Sequence, residues 1–94
     1  MKFYSRKELV TLVGCDEGFL ITLERERIVH TDIPEAVIPE AADAEFSEIM
    51  LERARVARTL MQDLDVNLEG AEIILRMREE IASLHRQIVQ LMRR

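Results

Sequence analysis

Apolar residues recur along this chain at helical rather than strand spacing. Ser5-Arg6-Lys7-Glu8 predicts a capping box, in which the Ser5 hydroxyl accepts from the Glu8 amide and the Glu8 carboxylate accepts from the Ser5 amide. Leu9, Leu12 and Val13 then mark one face of a short helix, and Gly14 supplies its stop. Asp16 is expected to cap a second helix with Phe19, Leu20 and Leu23 facing inward. Two short helices joined by Gly14-Cys15-Asp16 form a helix-turn-helix signature. Pro34 and Pro39 rule out regular helix in the next stretch, so residues 28–42 predict a strand or extended arm at Ile28 and Val29, plus a loop. Asp43 is expected to cap a third helix carrying Phe46, Ile49, Met50, Val56, Ala57, Leu60, Met61 and Leu64 along its stripe.

Asp65-Val66-Asn67 breaks that periodicity, and Asn67 is a good cap for a long fourth helix. Ile74, Ile81 and Ile88 fall seven apart, with Met77, Leu84 and Leu91 three after each. That is a heptad with Ile at a and Met or Leu at d, a pattern that favours two-stranded parallel coils. These six residues are the expected dimerisation face, with the direction of the coil left open. The predicted organisation is a mainly all-α head over residues 1–66, followed by an amphipathic, coiled-coil helix over 67–94.

A length of 94 residues predicts one small domain, or one small domain with a tail. Its hydrophobic share of 48% is enough to fold, and its aromatic share of 4% requires an aliphatic core. No apolar run approaches the roughly 18 residues of a membrane helix, and Met1-Lys2-Phe3-Tyr4 turns polar too soon for a signal peptide. The expected location is cytoplasmic, where the single cysteine stays reduced.

Charge changes the picture more. The formal net charge is −5, and all of the surplus lies in the first 47 residues. No Lys or Arg occurs between Arg27 and Arg53, an interval that holds Asp32, Glu35, Glu40, Asp43, Glu45, Glu48 and Glu52. Phosphate is repelled by such a stretch, and a basic partner is attracted.

Little points to catalysis. His30 and His85 have no partner at metal-ligand spacing. Cys15 is flanked by Asp16 and Glu17, which oppose thiolate formation. With 3 glycines there is no phosphate loop. No enzyme activity, metal or cofactor is expected. Arg53, Arg55 and Arg58 predict a solvated face paired with Glu48 and Glu52.

Three segments carry a family likeness: Tyr4-Ser5-x-x-Glu8-Leu9, Leu12-x-Gly14-Cys15, and Leu23-Glu24-Arg25-Glu26-x-Ile28-Val29. In this order they resemble the start of a MerR-type winged helix-turn-helix. Leu60-x-x-Asp63-Leu64-Asp65-Val66-Asn67-Leu68-Glu69-Gly70-Ala71 is similar to that family's junction between third and fourth helices. The resemblance implies a winged helix-turn-helix head and a dimerising last helix. Where DNA-binding members carry an Arg on the second helix this chain has Ile21, followed by Thr22, and where they carry a Gly before the wing it has Arg27. The wing region is the acidic segment Pro34–Glu45. The comparison with that family implies a scaffold that is kept and phosphate contacts that are lost.

Length and layout also resemble the chaperone-modulator proteins typified by CbpM, which combine a degenerate MerR-like head with a long last helix. Their block at the third helix resembles Glu52-Arg53-Ala54-Arg55-Val56-Ala57-Arg58-Thr59-Leu60. The resemblance implies binding to the J-domain of a CbpA/DnaJ-like co-chaperone, inhibition of its co-chaperone activity, and a homodimer. Electrostatic steering of a basic J-domain helix toward an acidic surface fits it. The candidate contact residues are Ile21, Glu24, Ile33, Val37, Ile38, Glu40, Asp43 and Glu45. The alternative is a dimeric MerR-like transcriptional regulator that grips DNA through Arg6, Lys7, Arg25 and Arg27, with Arg53, Arg55 and Arg58 behind.

Overall fold

The computed structural model describes residues 2–34 and 43–93. In chain order its elements are β1 (Phe3–Tyr4), α1 (Arg6–Val13), α2 (Glu17–Arg25), β2 (Phe46–Ser47), α3 (Glu48–Arg58), a π-helical turn (Thr59–Asp63) and α4 (Leu68–Met92).

Local chemistry starts and stops the helices as expected. Ser5 and Glu8 form both halves of the capping box. Gly14 ends α1 at φ 77°, a left-handed conformation that glycine adopts without a steric cost. Asp16 accepts from the Phe19 amide at 2.7 Å, and Asn67 from the Gly70 amide at 2.7 Å.

The third helix begins later than expected. Its cap is Ser47 rather than Asp43, because Phe46 and Ser47 are drawn into an antiparallel pairing with Phe3 and Tyr4. Phe46 therefore enters the core from a strand, fully buried, instead of from a helix. The extended arm expected at Ile28 and Val29 is absent as well. Both amides turn back to the Leu23 carbonyl, and both side chains are wholly buried. Burying each such aliphatic side chain contributes about 1.5–3 kcal/mol.

Three apolar residues expected on inward stripes face solvent. In α1, Val10 packs on the core and Leu12, on the far side of Leu9, is exposed. In α3, Met50, Leu51, Ala54 and Ala57 occupy the inner arc, while Ile49 is 67% exposed. At roughly 100° per residue, Ile49 and Val56 lie about a third of a turn round from Met50, so the apolar positions of this helix form two stripes and not one. Leu64 is 62% exposed for another reason. Its amide bonds to Thr59 and that of Val66 to Leu60, so the π turn adds a residue and rotates Leu64 off the stripe.

Only the first part of α4 packs on the head, through Leu68, Ala71 and Leu75. From Met77 to Met92 every residue is exposed except half-buried Ser83 and Val89. The radius of gyration, 14.9 Å, exceeds the roughly 12 Å of a compact chain of this length, because α4 stands out from the head. No described helix is long and apolar enough to cross a membrane.

Candidate functional site

The capping box fixes the start of α1 and thereby places Arg6 on the first helical position, facing α2. Its Nε donates to Glu17 at 3.2 Å and its Nη1 lies 2.8 Å from the Glu24 carboxylate. The hydrogen bond to Glu24 is the chief reason that the guanidinium is held above its ordinary pKa. One cation is thus shared by two carboxylates on the helix that a winged helix-turn-helix would lay against DNA. Ile21, 46% exposed, is the apolar residue on the outer surface of that helix. Arg25, exposed and four residues on from Ile21, is the cation this face still offers, and it stands against the carboxylates Glu17 and Glu24, which do not bind phosphate.

Arg27 follows Glu26, the C-cap of α2, at φ 58°. The backbone therefore keeps the left-handed conformation that a glycine would adopt freely, although the residue is an arginine.

The remaining expected contact residues fall into two groups. Val37, Ile38 and Glu40 lie outside the described residues. Ile33 is half-buried, Asp43 exposed, and Glu45 half-buried beside β2, where its amide donates to the Tyr4 carbonyl at 2.8 Å. Among the described residues, no hydrogen bond or ion pair joins Ile21 and Glu24 of α2 to Asp43 or Glu45.

One residue missing from the expected contact set stands out. Ile49 is the shared edge of two apolar depressions. The first, about 240 Å³, lies between Phe3, Pro34 and Ile49 and is edged by Asp32 and Glu48. Its wall is fixed by Asp32, whose carboxylate accepts from both the amide and the hydroxyl of Ser47. The second, about 230 Å³, runs between α3 and α4 along Val56, Leu75 and Ala82. Two ion pairs span it, Arg53 with Glu79 and, at 3.9 Å, Arg78 with Glu52. Separating the two stripes of α3 in the sequence would have isolated Ile49.

The arginines of α3 do not form the solvated ladder expected with Glu48 and Glu52. Arg53 donates to the Ile28 carbonyl and pairs with Glu79, and burial lowers its pKa. Arg58 donates to the Gly14 carbonyl at 3.3 Å and to Asp63 at 3.2 Å. Both bind elements together.

Cys15 is half-buried against the core, and burial, then the Asp16 charge, pushes its thiol pKa up. His30 and His85 are exposed. No group of three or more potential metal ligands occurs among the described residues.

The six dimerisation candidates line one stripe of α4. Ile74 is half-buried, and Met77, Ile81, Leu84, Ile88 and Leu91 are exposed.

The family model described as MerR HTH family regulatory protein matches residues 4–93. No curated protein and no solved structure matches the chain.

Proposed function

The chain belongs to the MerR HTH family of regulatory proteins, and we propose that on this scaffold it acts as a protein-binding modulator rather than a DNA-binding one. The observation that carries this is the pairing of Arg6 with both Glu17 and Glu24 on the outer side of the helix-turn-helix. A phosphate approaching there meets a guanidinium already neutralised and a surplus carboxylate, which works against the cation–phosphate contacts that drive nucleic-acid affinity. The partner proposed is the J-domain of a CbpA/DnaJ-like co-chaperone, whose co-chaperone activity the protein would lower by covering it. Similarity of layout to the CbpM-type modulators supports that choice, as does the acidic stretch between Arg27 and Arg53.

Self-association through α4 belongs to the same proposal. The stripe from Met77 to Leu91 is exposed in the single chain. The charge distribution supports opposed rather than parallel helices. Residues 68–80 carry Glu69, Glu72, Glu79 and Glu80 against two arginines, whereas no acid comes after Glu80 and Arg86, Arg93 and Arg94 do. Parallel copies would set arginines beside arginines. Opposed copies set them beside carboxylates and match Ile74 with Leu91, Met77 with Ile88 and Ile81 with Leu84.

The test is isothermal titration of the chain with a purified J-domain, with duplex DNA as the comparison. Saturable binding to the J-domain supports the proposal. Binding to DNA alone, weakening steeply with salt, would replace it with the transcriptional-regulator reading.

A further inference from the structure

We propose that the basic segment of the partner docks in the cleft between Phe3, Pro34 and Ile49, and not on the outer face of α2. This rests on the protein-binding reading above and names its site.

Ile21 and Ile49 are both exposed aliphatic residues beside carboxylates, and their electrostatics differ. Beside Ile21, Glu17 and Glu24 are both committed to Arg6, at 3.2 and 2.8 Å. A docking cation would have to compete with a guanidinium already in place. Beside Ile49, Asp32 and Glu48 of the lining make no ion pair among the described residues, and neither does Glu45, whose carbonyl accepts from the Asp32 amide at 3.3 Å. Asp32 is held by Ser47, and Glu48 accepts from the neutral Tyr4 hydroxyl, at 3.4 Å. Among the described residues of the lining, Lys2 alone adds a positive charge. Uncompensated carboxylate at the rim steers and registers a cationic partner.

An anchor is needed as well, since charge at a rim adds little affinity by itself. The cleft supplies a place for one. Its roughly 240 Å³ exceeds the ~150 Å³ of an engineered apolar cavity that accepts benzene, so it has room for one large aliphatic or aromatic side chain. Phe3 is fixed by its pairing with Ser47 and Ile49 by the first turn of α3, so the walls do not have to be ordered on binding. The matching ligand is an amphipathic helix or extended segment with one large apolar side chain flanked by Lys or Arg.

The experiment compares three variants of the full chain in the J-domain titration: Ile49→Arg, Glu45→Lys with Glu48→Lys, and Ile21→Arg. Ile49→Arg is expected to weaken binding by about tenfold or more. The double charge reversal should weaken it and flatten its salt dependence. Ile21→Arg should stay within about twofold of the parent. Circular dichroism verifies that each variant folds, and the double reversal carries the test if Ile49→Arg does not. Parent-like affinity in both cleft variants, or a larger loss in Ile21→Arg, overturns the assignment. So does a change in molecular mass of Ile49→Arg by light scattering, which would give this face to a second copy of the chain. A parent chain that does not bind the J-domain defeats the functional proposal first, and the site with it; a parent that binds while the cleft variants bind equally well defeats the site alone.

Discussion

The Nε of Arg53 donates to the carbonyl of Ile28 at 2.6 Å, tying the second turn of α3 to the chain just beyond α2. Ile28 and Val29 are wholly buried there, so this carbonyl would otherwise face hydrocarbon. The same guanidinium reaches Glu79 on α4. One side chain thereby clamps three parts of the fold.

Arg53→Met keeps most of the volume and removes the donor. It should cost about 1–3 kcal/mol, the range for leaving a buried acceptor unsatisfied. Urea unfolding monitored by circular dichroism measures it, and a loss below about 0.5 kcal/mol would mean that water replaces the guanidinium.

Arg27→Gly is expected to stabilise the chain by about 0.5–1 kcal/mol, because at φ 58° the arginine Cβ is strained and glycine relieves this at some cost in unfolded-state entropy. A higher midpoint in thermal unfolding checks it. An unchanged or lower midpoint would show that the arginine side chain contributes more than its backbone costs.

Cys15 should react slowly. Burial, then Asp16, raises its pKa, so less thiolate exists at any pH than for a free cysteine. Because the folded value lies above the unfolded one, the thiol's contribution to stability is complete below its ordinary value of about 8.5. It declines as pH rises from there through the folded value. Iodoacetamide labelling at mildly alkaline pH, against the urea-unfolded chain, measures the first effect. Equal rates would contradict the burial. Unfolding below and well above the ordinary thiol pKa, parent against Cys15→Ser, measures the second.

Ile81→Glu with Leu84→Glu should abolish self-association and leave the melting of the head unchanged, since both residues are exposed beyond the packed part of α4. Sedimentation velocity reads the mass. Direction is read by oxidation in a Cys15→Ser background: Ile74→Cys mixed with Leu91→Cys should cross-link, and Ile74→Cys alone should not. Self-linking of Ile74→Cys would restore the parallel coil that the heptads favour.

The features legible in the sequence are the local ones. Ser5, Asp16 and Asn67 act on amides three residues away, and Gly14 on its own φ, so four residues mark three helix starts and one stop. The pairing of Phe3 with Ser47 was not legible, because two-residue strands carry no periodicity and their partners lie far apart in the chain. It also moved the cap of α3 from Asp43 to Ser47. Ile49 was hidden because α3 bears one stripe toward the core and another toward α4, and helical spacing alone merges them. The arginines of α3 misled for a similar reason. Their spacing suits bonds along one helix, whereas Arg53 and Arg58 reach across to carbonyls that only the tertiary fold brings near. Of the expected contact surface, Ile21, Glu24, Ile33, Asp43 and Glu45 are placed, but Glu24 is already engaged by Arg6.

Beyond Ala82, which still borders the depression against α3, the described part of α4 is exposed apart from half-buried Ser83 and Val89. It continues a 25-residue helix whose first turns are packed on the head, so nucleation is already met, and under the proposed self-association its exposed stripe would be covered by a second molecule. Under the proposed pairing, the length of rigid stem would follow the concentration of the chain, and the molecule would act as a gauge of its own abundance.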